Sequence, residues 1–167
     1  MYTLGQKVIH PLHGVGVVEL IEEKTILGKH NQFAVISFQN DRLKIMVNLS
    51  QSNTLIRNLV GKEEVPKVFK FLRRCKSELP IKSSERYNIN LKKIKSADIY
   101  QVAEVIRDLT DLSQHKKLSP KELSMLKQTK KLLSTEFSYI TEMTPEEIEE
   151  MIDRCCREEQ QPVAVGA

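Results

Sequence analysis

The residue types that could do chemistry in this chain are mainly lysine and arginine, and most of them fall in one segment. Residues 62–131 contain 18 basic and 9 acidic side chains, whereas the net charge of the whole 167-residue chain is only +4. Such a segment concentrates a positive field in which a polyanion could bind. The alternative is a solvated lysine-rich surface without a partner, and charge alone does not decide between the two.

Histidines and cysteines do not form a pattern typical of catalysis or metal binding. His10 and His13 have no carboxylate or cysteine placed to form a nucleophile pair with them, so they are predicted to be turn histidines. Cys155 and Cys156 are adjacent and no C-x-x-C occurs, so both are predicted to pack on the last helix. With Cys75 the count is odd, which is typical of a reducing compartment. We therefore predict a non-enzymatic protein, without metal or cofactor, that binds other macromolecules.

The second predicted helix has the most informative basic residues. Tyr87, Leu91 and Ile94 fall on one side of it at 100° per residue and are predicted to be buried. The flank beside this stripe is predicted to be exposed and to meet phosphates. It contains Lys82, Arg86, Asn90 and Lys93. Lys116 and Lys117 add to the basic segment. The scarcity of aromatic residues and the absence of tryptophan argue against base stacking, and the lysine-dominated composition favours phosphate contacts over base readout.

The first 60 residues are predicted to form a β-rich module. Short alternating or β-branched runs between turn residues predict five strands. These runs are residues 6–10, 14–21, 24–27, 32–38 and 43–49. A turn is predicted at 39–41, and Gly14 and Gly16 indicate a bulge or a sharp bend. Such strands favour a small curled sheet or SH3-like barrel, a fold that usually presents an edge or a groove.

From residue 62 onward the spacing of apolar residues is helical, and about five helices are predicted in residues 62–157. The predicted apolar residues are Val65, Val68, Phe69 and Leu72 in the first helix, Val102, Val105, Ile106 and Leu109 in the third, and Leu123, Leu126, Leu133 and Phe137 in the fourth. Ser83 or Ser84 is predicted to cap the second helix. Capping boxes predict where the last two helices begin. They are Ser119 with Glu122 and Thr144 with Glu147. Residues 158–167 lack periodicity and are predicted to be a flexible tail. The expected fold class is α+β, with a β-barrel in residues 1–60 followed by an all-α domain.

Signals for membrane insertion or secretion do not occur in this sequence. No apolar run approaches the ~20 residues that span a bilayer. The first residues lack the apolar segment and the cleavage pattern of a signal peptide. A cytoplasmic protein without membrane contact is therefore expected.

Residues 4–18, LGQKVIHPLHGVGVV, resemble the N-terminal signature of the CarD/CdnL family of bacterial transcription regulators. The likeness extends from residue 4 to about residue 155. Its supporting motifs are EEKTILG at 22–28, LP at 79–80, SERY at 84–87, VAEVIRDL at 102–109 and LSPKELSML at 118–126. The first motif is shared with the polymerase-binding module of transcription-repair coupling factors. Those proteins are helicases, however, and this chain has no Walker A motif.

The resemblance implies a Tudor-like N-terminal module that binds the β subunit of RNA polymerase, partly by pairing of strand edges. It also implies a helical module that contacts double-stranded promoter DNA just upstream of the −10 element, largely independently of sequence. Together these contacts would alter the stability of the open promoter complex. A monomer without a cofactor is expected.

Candidate site residues follow for both modules. The polymerase-binding candidates are a predicted edge strand and one nearby lysine. They are Lys24, Lys44, Ile45, Met46 and Val47. The DNA-binding candidates are Lys82, Ser83, Arg86, Asn90, Lys93, Lys116 and Lys117.

Two positions depart from the family pattern. Ser83 stands where relatives often have a tryptophan that acts as a wedge at the edge of the unwound DNA, and this chain has no tryptophan. Met46 stands where relatives can have an arginine, so an apolar contact would replace an ionic one. A second interpretation therefore stays open, in which the helical module of a polymerase-binding adaptor contacts another protein in place of DNA.

Overall fold

The computed structural model describes residues 1–39, 42–52, 55–74 and 76–158, and the chain divides into two compact units. The first unit is Met1–Leu59 and the second is Val60–Ala167. Among the described residues, every strand lies in unit 1 and every helix in unit 2. The predicted α+β class, a small β module followed by about five helices, is therefore confirmed.

The described part of unit 1 forms an antiparallel five-stranded sheet. Its strands are β1 (Lys7–His10), β2 (Gly14–Ile26), β3 (Lys29–Phe38), β4 (Leu43–Asn48) and β5 (Arg57–Asn58). The strand order is β4-β3-β2-β1-β5, so β4 and β5 are the edge strands of the described sheet.

Two details of the strand prediction are wrong. Residues 14–21 and 24–26 belong to one continuous strand, in which a register shift between Val18 and Leu20 absorbs the irregularity, and Leu27 lies in the turn that follows. Strand β5 was not predicted, because two residues are too few to show a periodicity. The predicted turn at 39–41 falls mainly on Asn40 and Asp41, which lie outside the described residues.

Alternation along β3 determines which face of the sheet is buried. Ala34, Ile36 and Phe38 share one face and are buried, with Val18 packed against them. Gly16 lies close to this cluster. A Cβ at Gly16 would be 2.5 Å from Ile36 Cγ2 and 2.7 Å from Phe38 Cε1, so only glycine fits there.

The hairpin of β2 and β3 extends beyond the end of β4. Its pairing continues to Ile26 and Lys29, whereas β4 reaches only as far as Phe33. The two loop residues, Leu27 and Gly28, have φ values of 51° and 76°, as a type I′ turn requires. Glycine adopts this conformation freely, but leucine is strained there, and the Leu27 side chain is 97% exposed.

The described residues of unit 2 form five helices, with α3 in the core. They are α1 (Glu64–Leu72), α2 (Ser83–Lys95), α3 (Ile99–His115), α4 (Pro120–Ile140) and α5 (Pro145–Arg157). The apolar stripes predicted for the first and third helices are confirmed, since all their residues are buried. Phe69 of α1 packs edge-on against Phe137 of α4, with ring centroids 5.8 Å apart.

The helix ends confirm two predictions and correct one. Both capping boxes, at the starts of α4 and α5, have their two reciprocal hydrogen bonds. The predicted serine cap of α2 is wrong, because Lys82 holds the N-cap position without a side-chain hydrogen bond and Ser83 is already helical. Leu123, predicted to face the core, is exposed because it lies about a quarter-turn from the buried stripe of α4.

Cys155 and Cys156 are buried in the helical core, as predicted. Cys75 and most of the predicted tail, residues 159–167, lie outside the described residues. Within the described ranges, no helix is long and apolar enough to cross a membrane. In the same part of the chain, no group of three or more His, Cys, Asp or Glu side chains is placed to hold a metal ion.

Candidate functional site

The outer face of the sheet in unit 1 carries an exposed apolar row. Leu20 of β2, Val35 of β3 and Met46 of β4 are direct cross-strand neighbours. They lie on the face opposite to Ala34 and Ile45, which belong to the core side of the sheet. Leu20 and Met46 are exposed, and Val35 between them is half-buried. A contiguous apolar row of this kind is typical of a surface that binds another macromolecule.

Charged side chains border this row and pair with each other. Lys44 Nζ lies 2.7 Å from Glu19 Oε2, and Lys24 Nζ lies 3.0 Å from Glu22 Oε2. The hydrogen bond from Lys44 holds the pKa of the Glu19 carboxyl below its usual range. Lys24 Nζ also lies 3.9 Å from the Sδ atom of Met46. Exposed ion pairs contribute only ~0–1 kcal/mol, so these charges can exchange partners at little cost.

The predicted polymerase-binding residues divide between the two faces of the sheet. The prediction that β4 is an edge strand is confirmed. Lys24, Lys44 and Met46 lie on the outer face, beside the apolar row. Ile45 and Val47 pack against the core, because alternate residues of a strand face opposite sides. The side chains of Lys24, Lys44 and Met46 are therefore accessible on the outer face, whereas those of Ile45 and Val47 are not.

Sequence analysis missed the other members of the apolar row. The available signal was the run Phe33-Ala34-Val35-Ile36, which is apolar on both faces of the strand. A strand with one face in water usually alternates apolar and polar residues. The departure from alternation is therefore the sequence signal for an apolar outer face.

The basic flank predicted on α2 is wrong for two of its four residues. Arg86 is 3% exposed and Asn90 is fully buried. Together with Ile94 they form the buried row of α2, whereas Tyr87 and Leu91, predicted as its centre, are half-buried beside it. The row is displaced because Arg86 has a buried ionic partner on α4, which helical spacing within α2 cannot reveal.

The other two residues of that flank differ in what they expose. Lys93 Nζ lies 3.3 Å from Glu104 Oε1, and its side chain is largely covered. Lys82 Nζ lies 3.7 Å from Glu85 Oε1 in a loose surface pair, and its side chain is mostly exposed. Of the predicted flank, only Lys82 therefore offers an accessible charge.

The remaining predicted DNA-binding residues meet at one cavity of about 400 Å³. Ser83 and Arg86 of α2 line it together with Lys116 and Lys117, which precede α4. Ile81 lines the same cavity and is 87% exposed. Lys116 and Lys117 make no ion pair within the part of the chain that the structure describes. The cavity thus combines unpaired positive charge with an exposed apolar side chain.

The exposed face of α4 continues this basic surface. It carries Lys121, Ser124, Lys127, Gln128 and Lys131. Both acidic residues of α4 are buried, so no carboxylate of α4 opposes these lysines. Lys130, in the same basic segment, pairs with Asp153 of α5 and is largely covered. Sequence analysis counted these lysines in the basic segment but did not assign the exposed ones to the site.

Comparison with known proteins matches each unit separately. The family model described as CarD-like/TRCF RID domain matches residues 2–60, and the model described as CarD, C-terminal domain matches residues 67–153. The chain is also 30% identical over 149 residues to the Bacillus subtilis (strain 168) protein named "Putative transcription factor YdeB". That match covers 89% of this chain and 97% of the relative. The chain therefore belongs to the CarD/CdnL family of transcription regulators.

Proposed function

We propose that this regulator binds the β subunit of RNA polymerase through unit 1 and promoter DNA upstream of the −10 element through unit 2. The two contacts together would change the stability of the open promoter complex. The observation that carries the proposal is the contrast between an exposed apolar row in one unit and unpaired lysines in the other.

The edge strand β4 and the outer face support a protein partner. A strand of the partner added along β4 would use the unpaired backbone groups of that edge. The same approach would cover Met46 and Leu20, and an apolar anchor near the centre of an interface contributes about 2 kcal/mol or more. Lys24 and Lys44 border the row and would orient the partner by exchanging their intramolecular carboxylates for its charges.

The tip of the β2–β3 hairpin extends this docking surface. Ile26 shares a face with Lys24 and Leu20, since alternate residues of a strand lie on one side. Leu27 follows it with a positive φ that costs a leucine about 1 kcal/mol. Asparagine is the residue type that this position of the turn favours. A strained and exposed leucine gains no contact in the free protein, so contact with the partner is the function that we assign to it.

The lysines of unit 2 support a polyanionic partner. Lys121 and Lys131 are ten residues apart, a distance of about 15 Å along α4. One strand of B-DNA carries a phosphate every ~3.4 Å of axis, so this face matches about four phosphates. Lys116 and Lys117 extend the surface beyond the start of α4. Contacts of this type position a protein on DNA without reading its sequence.

Ser83 limits how far this protein can stabilise an open complex. Its small polar side chain is exposed at the cavity and offers no apolar surface for an unstacked base. Ile81, two residues earlier, is the exposed apolar side chain at that place. We therefore expect weaker stabilisation of open complexes than by relatives with a tryptophan at this position.

Two binding measurements on the full chain test the proposal. Capture of RNA polymerase core enzyme should resist salt, because apolar burial dominates that contact. Binding to duplex DNA should weaken steeply with salt, by ~0.9 log–log unit per phosphate contacted. Capture of polymerase without salt-dependent DNA binding would favour the alternative, an adaptor whose helical unit contacts another protein. Failure of both would refute the proposed function.

A further inference from the structure

Arg86 is a basic residue of the predicted DNA site whose hydrogen bonds are all internal. Its Nε donates to Glu122 Oε1 at 2.7 Å, and its Nη2 donates to Glu122 Oε2 at 3.2 Å. Its Nη1 donates to the backbone carbonyls of Pro80, at 3.0 Å, and of Ile81. One guanidinium therefore ties the segment before α2 to the first turn of α4.

Glu122 completes this connection from the side of α4. Its Oε2 accepts the backbone N–H of Ser119 at 3.0 Å, while Ser119 Oγ accepts the N–H of Glu122 at 3.3 Å. Burial alone would raise the pKa of the Glu122 carboxyl, but hydrogen bonds from Arg86 and Ser119 outweigh burial and lower the pKa below its usual value. The carboxylate is thus ionised at neutral pH, where it both caps α4 and anchors Arg86.

The two connected segments both line the cavity that carries the predicted DNA contacts. Ile81 lines it from the segment before α2, and residues 116–120 line it from the segment that leads into α4. Arg86 also lines the cavity, is hydrogen-bonded to both segments and is itself 3% exposed. Breaking its hydrogen bonds would release both segments, although Lys116 and Lys117 would keep their charges.

We infer that Arg86 and Glu122 are positioning residues for the DNA-binding surface and that Arg86 does not itself contact a phosphate. This inference rests on the proposed contact of unit 2 with DNA. A planar guanidinium can meet two carboxylate oxygens and two carbonyls at once, whereas a lysine ammonium donates from a single point. Lysine should therefore fail to replace Arg86 even though it keeps the charge.

The test compares R86K and R86M in the full chain, with K82M as the matched control for loss of one exposed charge. Both Arg86 variants should lose DNA affinity by a similar factor, about fivefold or more, because a loosened site binds poorly. The slope of log affinity against log salt should stay unchanged in both. K82M should instead lower that slope by about one unit. A direct phosphate contact by Arg86 predicts the opposite, with R86K retaining affinity and R86M losing one unit of slope, and this result would overturn the inference.

Amide hydrogen exchange separates positioning from general loss of the fold. The N–H of residue 86 donates to Lys82 O, and that of Leu123 donates to Ser119 O. In R86K, and in E122Q, which keeps a side chain suited to the capping box, both amides should exchange faster while those of α3 stay protected. Unchanged exchange at both helix starts would refute the inference and leave the proposed function intact. Wild-type protein that does not bind DNA would refute the proposed function, and with it the DNA role assigned to the pair.

Discussion

The candidate surface of unit 1 is marked by exposed apolar side chains, whereas that of unit 2 is marked by lysines without an ion-pair partner. In unit 1, the charges beside the apolar row pair with each other, as Lys44 does with Glu19, while Leu20 and Met46 stay exposed. In unit 2, lysines such as Lys116 have no ion-pair partner among the described residues, and most apolar side chains are buried. Exposed apolar groups gain by burial against a protein, whereas unpaired cations gain by releasing counterions from a polyanion.

Because of this difference, salt should weaken the DNA contact of this molecule and leave its protein contact almost unchanged. Screening acts on exposed charges and leaves apolar burial almost unaffected. A chain with both kinds of surface should keep its protein partner at salt concentrations that remove it from DNA. Substitutions can therefore be chosen to abolish either contact alone.

The largest expected effect is that of Met46→Glu on polymerase binding. A carboxylate in the apolar row must be desolvated when the partner covers it, so affinity should fall about thirtyfold, equivalent to ~2 kcal/mol. Leu12→Glu is the matched control, since Leu12 and Met46 are both 51% exposed and Leu12 lies in the β1–β2 turn. Affinity is read by titration of immobilised core polymerase. Equal loss in both variants would mean that the row is not the docking surface.

Lowering the pH should destabilise unit 1 before it destabilises unit 2. Burial of His10, together with the nearby His13, lowers the pKa of His10 from 6.5 to about 4. Protonation therefore favours the unfolded state, so the contribution of His10 is complete above pH 6.5 and is lost as the pH falls towards 4. The lowered pKa of the Glu122 carboxyl acts only at lower pH, below its ordinary value of 4.5.

On lowering the pH from 7 to 4, unit 1 should thus lose on the order of 2 kcal/mol before unit 2 is affected. Residue-resolved NMR spectra across this range provide the measurement. The His10→Asn variant, whose amide oxygen can replace Nδ1 as acceptor for the Leu12 N–H, should remove the dependence. Loss of the unit 2 signals at a higher pH than those of unit 1 would contradict the assignment of this acid sensitivity to His10.

Reversing the charges of Lys116 and Lys117 should break the DNA contact and spare the polymerase contact. The double glutamate variant should lose about tenfold in affinity and about two units of salt slope, one for each phosphate contact. Lys62→Glu/Lys70→Glu makes the same charge change on exposed residues outside the cavity and should leave the slope nearly unchanged. Fluorescence anisotropy over a range of salt concentrations measures both quantities. An unaltered slope in the first variant would exclude these lysines from the site.

A tryptophan in place of Ser83 should lengthen the lifetime of open complexes. A stacked ring contributes ~1–3 kcal/mol, so the lifetime should increase about fivefold or more on a promoter that opens unstably. Ser83 is not the N-cap of α2, so the variant should keep its melting temperature. Lifetimes follow from competitor challenge, with a melting curve beside each. A folded variant with unchanged lifetime would show that this position does not meet the DNA.

The smallest expected effect is at the hairpin tip, where Leu27→Asn should raise the stability of the protein and weaken its binding to polymerase. Asparagine before Gly28 suits a type I′ turn, so the melting temperature should rise by a few degrees. Loss of the exposed leucine should weaken polymerase binding about threefold. Thermal unfolding and polymerase titration on the same variant supply both readings. A variant that is more stable and binds equally well would confine the docking surface to the apolar row.

Signals that act within a few residues predicted much of this fold. The capping box of Ser119 and Glu122 and the helical spacing of the α3 core were read directly from the sequence. The burial of Arg86 was not, because it depends on a carboxylate 36 residues away. Similarly, β5 exists only because Asn58 pairs with Val8.

The candidate surfaces were predicted less well, for a related reason. Exposure of a polar residue was inferred from its place on or beside a helix, which holds for Lys82 and fails for Asn90. Strand alternation does assign Met46 and Ile45 to opposite faces of β4, but which face belongs to the core depends on which face of the whole sheet the rest of unit 1 packs against. Long-range partners therefore decide which polar and apolar groups remain available for binding.

The most direct test of the account is the footprint of RNA polymerase on a promoter, with and without this protein. The wild-type chain should strengthen protection just upstream of the −10 element. Met46→Glu should abolish the change because the protein is no longer recruited, and Lys116→Glu/Lys117→Glu should abolish it although the protein remains bound to polymerase. A footprint that wild-type protein leaves unchanged, or that Met46→Glu strengthens as fully as wild type, would contradict the claim that the two surfaces act together.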